Sequence, residues 1–174
     1  MQTIGIYIGR CNPLHLGHEA VIDRMIAEHG GRCLLIIGSS NVMLSARDPF
    51  SYDERKSFVQ MLYPDLRIAP LPDYPTDAER LQKLDAIIQT YFPDASRDQI
   101  VFRAGAEEEV SRLVDDGRQI RIVDRFSGET PIVSATQVRE ALARGESIAG
   151  MVNELLLEKI QESYRLKRNI LLSQ

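Results

Sequence analysis

The stretch "TIGIYIGRCNPLHLGH", residues 3–18, decides how the rest of the chain is read. Its first seven residues form a nearly unbroken β-rich run ending at Gly9, the pattern of a short strand buried on both faces. The next nine hold Arg10, Pro13, Gly17 and two of the chain's three histidines, His15 and His18. An amphipathic segment follows, with Val21, Ile22, Met25 and Ile26 on one face and "HGG" at 29–31 as its stop. That predicts a helix of about ten residues from His18. A buried strand, a glycine-bearing loop and a helix start make the first half of a β-α-β unit.

The alternation continues along the chain. "CLLIIGSS" (33–40) reads as a second buried strand, and "SYDE" (51–54) is a capping box opening a helix that buries Phe58, Val59 and Leu62. "LRIAPL" (66–71) is a third strand, and "TDAE" (76–79) opens a helix with Leu81, Leu84, Ile88 and Tyr91 on one stripe. "QIVFRAG" (99–105) is a fourth strand, 107–115 a short acidic helix and "QIRIVDR" (119–125) a fifth strand. "SATQ" (134–137) opens a helix to about Arg144, and a last helix covers 152–166. Strands alternating with helices predict an α/β fold, a doubly wound parallel sheet of about five strands with C-terminal helices. One domain is expected, with an α/β core over 1–131 and a helical part over 132–174. In such sheets ligands bind beyond the carboxyl ends of the strands. That selects the loops at 9–18, 38–50, 71–77, 103–107 and 126–136.

Composition narrows the class. The formal net charge of −4 argues against a general nucleic-acid surface. The longest apolar runs are too short to span a bilayer, and no signal-type segment opens the chain. Two cysteines, Cys11 and Cys33, are too few for a disulfide framework, so a reducing cytoplasm is expected.

The chemistry concentrates in the first loop. Helix N-termini attract phosphate through unpaired N–H groups and the helix dipole. Gly9 and Gly17 let the backbone approach a ligand, His15 and His18 can donate to phosphate oxygens, and Arg10 adds a fixed charge. From spacing alone, two histidines bracketing a turn are an equal reading. Zinc ligation lacks a third nearby His or Cys. The loop matches neither G-x-x-x-x-G-K-[ST] nor G-x-G-x-x-G.

"H-x-G-H" after a strand, preceded by "G-R-x-x-P-x", resembles the signature of the HxGH nucleotidyltransferases. "VSATQVR" (133–139) resembles that superfamily's second signature, "I-S-[ST]-T-x-[IV]-R". The segment "GSSNVMLSARDPFSYDER" (38–55) is similar to one in archaeal-type nicotinamide mononucleotide adenylyltransferases, matching at Gly38, Ser39, Arg47, Asp48, Pro49, Phe50, Glu54 and Arg55. "LPDY" (71–74) resembles their "P-x-x-D" loop. The resemblance implies a Rossmann-like fold and transfer of AMP from ATP to nicotinamide mononucleotide, giving NAD and pyrophosphate, with magnesium accompanying ATP. It implies that His15 and His18 stabilise the α-phosphate. Arg10, Arg47 and Arg139 would hold the β- and γ-phosphates, with Gly9, Gly17, Gly105, Ser134 and Thr136 completing the ATP site. Gly38, Ser39, Asp73, Tyr74 and Arg80 are carried over to the mononucleotide side. Related enzymes are often homo-oligomers, but no interface is identifiable in the sequence.

The chain also departs from these relatives. Where they read "G-R-[FM]-Q-P-F-H", it has Cys11, Asn12 and Leu14, which predicts a differently shaped pocket beside the first histidine and leaves the acceptor open. It has no tryptophan to stack on nicotinamide; Arg80 stands at that position, with Asp77 where an asparagine is usual. The family's "S-G-N" after the fourth strand keeps only Gly105, within "RAGAEEE". A CTP-dependent transferase, one using another phosphorylated acceptor, and a non-catalytic nucleotide sensor stand as alternatives.

Overall fold

The computed structural model describes residues 3–105, 113, 117–123 and 132–173. In chain order these form β1 (Ile4–Gly9), α1 (Leu16–His29), β2 (Cys33–Gly38), α2 (Tyr52–Leu62), β3 (Arg67–Leu71) and α3 (Asp77–Tyr91). A 3-10 turn (Arg97–Gln99), β4 (Ile100–Ala104), β5 (Gln119–Ile122), α4 (Ala135–Arg144) and α5 (Glu154–Leu172) complete the series.

The five strands pair in the order β3-β2-β1-β4-β5, every neighbour parallel. The chain winds outward from β1 to β3, then returns to the other side of β1 for β4. Such a reversal opens a crevice at the carboxyl end of the central strand. β1 and β2 are apolar throughout because both faces of the sheet are covered. Tyr7, Leu35 and Ile37 face one core with α1, α2, α4 and α5, while Ile4, Ile6, Ile8, Leu34 and Ile36 face the other with α3. Truncating a fully buried leucine such as Leu35 to alanine costs about 2–5 kcal/mol.

The capping boxes read from sequence form at Ser51–Glu54, Thr76–Glu79 and Ser134–Gln137. Three boundaries differ. α1 starts at Leu16 rather than His18, because His15 is itself the N-cap. α5 runs to Leu172, past the expected Leu166, and carries the buried Leu171 into the core. β5 ends at Ile122. The expected acidic helix over 107–115 lies outside the described residues except for Leu113, as do residues 124–125 of the expected fifth strand. Among the described residues no helix is long and apolar enough to cross a membrane.

Candidate active site

The crevice at the end of β1 is a cleft of about 850 Å³. His15 and His18 enter it from the start of α1. His15 sits in extended backbone (φ −142°, ψ 169°), and its Nδ1 accepts from the Gly17 N–H at 3.0 Å. His18 Nδ1 accepts from the His15 N–H at 3.3 Å. The pair is thus a capping box made of two imidazoles, where Ser and Glu usually serve. A neutral ring that accepts at Nδ1 carries its proton on Nε2, so this network sets the tautomer of both. The rings stack with centroids 3.7 Å apart, and both are buried.

One side of the cleft is knit together by Asn12. Its Nδ2 donates to Asp48 Oδ1 (3.2 Å) and Phe50 O (3.4 Å), and its Oδ1 accepts from the Phe50 N–H (3.2 Å). Its main-chain oxygen accepts from Arg139 Nη1 (2.8 Å), while Arg139 Nη2 donates to Thr136 Oγ1 (3.0 Å). Arg10 lies 3.7 Å from the buried Asp48. Burial, then the neighbouring Arg10, lowers the Arg139 guanidinium from its ordinary value. Ser134, Thr136 and the exposed Arg47 also line the cleft. Residues from three distant segments therefore meet along the cleft at the N-termini of α1 and α4.

The other side rises from the ends of β2 and β3. Ser39 adopts φ 47°, and its hydroxyl donates to Asp73 Oδ1 at 3.0 Å. The Asp73 N–H donates to Asn41 Oδ1 at 2.8 Å, which fixes the loop. Gly38, Tyr74 and Arg80 line this half with them.

Gly9 lines the cleft as well; a Cβ there would lie 3.0 Å from the Tyr7 ring and hydroxyl. Gly17 and Gly105 do not line it. At Gly17 the close approach comes from the protein: a Cβ would lie 2.9 Å from the His15 ring and 3.2 Å from the Val133 carbonyl oxygen. Gly105 is buried directly after β4. Leu14 is a fully buried core residue packed with α1, α2 and α5 rather than a pocket wall, and Asn12 is a strut. Of the departures from "G-R-[FM]-Q-P-F-H", Leu14 thus serves packing, while Cys11 and Asn12 line the cleft and Asn12 also anchors the loop. The sequence placed Asn12 beside the pocket as a departure from relatives but gave no sign of its bonds to the 48–50 segment, and it did not point to Tyr7, Ile8 or Val42 as cleft residues.

Residues 6–141 match the family described as cytidylyltransferase-like. A nicotinamide-nucleotide adenylyltransferase of Haloarcula marismortui is 26% identical over 172 residues, covering 94% of this chain and 84% of that protein. One of Methanosarcina acetivorans is 46% identical over 68 residues, 39% of this chain and 37% of that protein. Among solved structures, a bifunctional NMN adenylyltransferase/ADP ribose pyrophosphatase from Francisella tularensis superposes with a TM-score of 0.70 at 19% identity. That match covers 97% of this chain, which spans only about half (53%) of the Francisella protein, and it bears on the fold. With the cleft at the carboxyl end of the sheet and the matched region spanning most of the chain, this protein belongs to the cytidylyltransferase-like family of nucleotidyltransferases.

Proposed function

We propose that this enzyme transfers AMP from ATP to nicotinamide mononucleotide, releasing pyrophosphate and forming NAD, in the cytoplasm. The observation that carries the reading is the convergence of the two Nδ1-anchored imidazoles with Arg10 and Arg139 at two helix N-termini. The names of the archaeal relatives support the choice of substrates.

In this mechanism an oxygen of the acceptor's phosphate attacks the α-phosphorus of ATP. The bond from α-phosphorus to the bridging oxygen breaks, and pyrophosphate leaves with that electron pair. Nε2–H donors of His15 and His18 meet the charge that grows on the α-phosphate oxygens. Arg10, Arg47 and Arg139, with the Ser134 and Thr136 end of α4, hold the departing phosphates. No covalent intermediate is needed; the residues align two anions and neutralise them. Magnesium supplies further neutralisation when it arrives with the triphosphate. The cleft carboxylates are engaged, Asp48 by Asn12 and Arg10 and Asp73 by Ser39. Among the described residues no three His, Cys, Asp or Glu gather to cage a cation. An ion arriving with ATP would be held by phosphate oxygens and water.

A second acceptor, nicotinate mononucleotide, is favoured by one observation: Arg80 places a cation in the acceptor half of the cleft, where a carboxylate would pair with it better than a neutral amide. Pyrophosphate release, measured for ATP and CTP against nicotinamide mononucleotide, nicotinate mononucleotide and phosphopantetheine, tests the proposal. Turnover with ATP and a pyridine mononucleotide is expected. Turnover only with CTP or only with phosphopantetheine overturns it.

A further inference from the structure

Beneath the cleft floor lies a fully buried arginine, Arg55, in the first turns of α2. Its Nη1 donates to the main-chain oxygens of Arg10 (2.8 Å) and Gly38 (2.9 Å), and its Nη2 to that of Ser39 (3.0 Å). Its Nε donates to Ser51 O at 3.3 Å. One guanidinium thus joins the residue after β1, the end of β2, the residue that follows and the N-cap of α2.

The choice of carbonyls is informative. The residues that follow Arg10 and Gly38 are Cys11 and Ser39, non-glycine residues at φ 48° and 47°. Such backbone is disfavoured for side chains with a Cβ. A peptide plane is set by ψ of one residue and φ of the next, so holding the oxygens of Arg10 and Gly38 holds Cys11 and Ser39 in the left-handed region. A trans peptide points its N–H opposite its C=O. Carbonyls turned down to Arg55 therefore turn the N–H groups of Cys11 and Ser39 up, toward the cleft those residues line.

We propose that Arg55 is a positioning residue, a clamp that fixes the phosphate side of the cleft, on the loop after β1, in register with the acceptor side, on the loop after β2. It touches neither substrate. It sets the spacing between the two anions that must meet in line, and it orients two main-chain amides toward them. Holding reacting groups in line is worth much of the barrier, and a displacement of about 1 Å costs on the order of 10²-fold in rate. Nucleotide affinity is carried separately, by the side chains of Arg10, Arg47 and Arg139.

The inference rests on the proposed transfer reaction. Variants are therefore compared with the wild type on whichever acceptor the wild type turns over, and failure of one acceptor does not touch the comparison. For Arg55→Met, kcat is expected to fall about 100-fold, with the Kd for ATP by calorimetry within about threefold of wild type and a cooperative melt retained. Arg55→Lys keeps a charged donor within reach of some of the carbonyls, and is expected to recover about tenfold of the lost rate, remaining about tenfold below wild type. A folded Arg55→Met enzyme with kcat within about threefold of wild type overturns the proposal. So does a parallel loss of ATP binding, which marks general collapse of the site. Should Arg55→Met fail to fold, Arg55→Lys decides alone: a kcat reduced about tenfold at unchanged ATP affinity supports the clamp, and a wild-type kcat refutes it.

Discussion

Arg139 Nη1 and the main-chain oxygen of Asn12 lie 2.8 Å apart, although 127 residues separate them in the chain. This bond registers α4 against the loop after β1, so the arginine positions the wall of the cleft as well as charging it. Arg139→Lys keeps the charge but cannot reach Asn12 and Thr136 together through a planar fork. Its kcat/KM for ATP is expected to drop about 10²-fold. Steady-state pyrophosphate release checks this, and a drop below threefold would contradict the dual role.

His15 and His18 are separable by experiment. His18→Ala is expected to lower kcat by about 10²–10³-fold with the fold kept, at the smaller stability cost of the one capping bond from the His15 N–H. His15→Ala removes the N-cap of α1 too, so a similar kinetic loss should come with about 1 kcal/mol of lost stability. Urea unfolding of both variants beside single-turnover kinetics distinguishes them.

Asn12→Ala strips partners from the buried Asp48 carboxylate and the Phe50 N–H. Leaving such groups unpaired costs about 1–3 kcal/mol. The expected result is a lower melting temperature together with a raised KM for ATP, since Asp48, the partner of Arg10, loses its Asn12 anchor.

Arg80→Ala is expected to raise KM for the mononucleotide while leaving KM for ATP within about twofold, because the residue lines only the β2–β3 half of the cleft. The effect on nicotinate mononucleotide should exceed that on its amide by about tenfold, the scale of one charge-assisted hydrogen bond. Equal effects on both acceptors would remove the case for an acidic substrate.

His29 gives a pH signature away from the cleft. Arg103 Nη2 donates to its Nε2 at 3.2 Å, so Nδ1–H points to Thr3 Oγ1 at 2.9 Å and the ring is held neutral. Burial, partly offset by the bond with Thr3, lowers its pKa from the ordinary 6.5, and the charge of Arg121 adds to the shift. Below pH 6.5 the unfolded chain takes up a proton that the folded chain refuses. Stability should therefore decline as the pH falls through 6.5 and level off below the depressed value. Urea midpoints at pH 7.5 and 5.5 should separate more in wild type than in His29→Gln. Glu19, raised by burial, titrates in both proteins and cancels in that difference.

The succession of strands and helices along the chain and the capping boxes were legible because each is local: apolar runs buried on both faces and S/T-x-x-E/Q patterns need no tertiary information, whereas the order β3-β2-β1-β4-β5 needed the folded sheet. The histidine pair was legible as the start of a candidate site at a helix N-terminus but not as its own helix cap, since side-chain capping by imidazole has no sequence signature. Asn12 was read as a departure from relatives, and its role needed the 48–50 segment folded against it. Arg55 sits in "SYDERKS", where an arginine among alternating charges looks solvated; only the carbonyls of two strand ends, brought together by the sheet, show otherwise. The steric demand at Gly17 depends on Val133, whose approach no spacing in the chain announces.

The core on the α1–α2 face takes nine of its twenty-two clustered residues from Val138 onward, among them Leu142, Ile148, Leu156, Ile160 and Tyr164. On the ribosome those residues emerge after every strand of the sheet has been made. Until then the core residues already made lack those nine partners, and the cleft lacks its α4 wall. Closure of the core and completion of the cleft thus arrive together, so, on the proposed function, a nascent or clipped chain with that core still open also lacks the wall through which ATP would stabilise it.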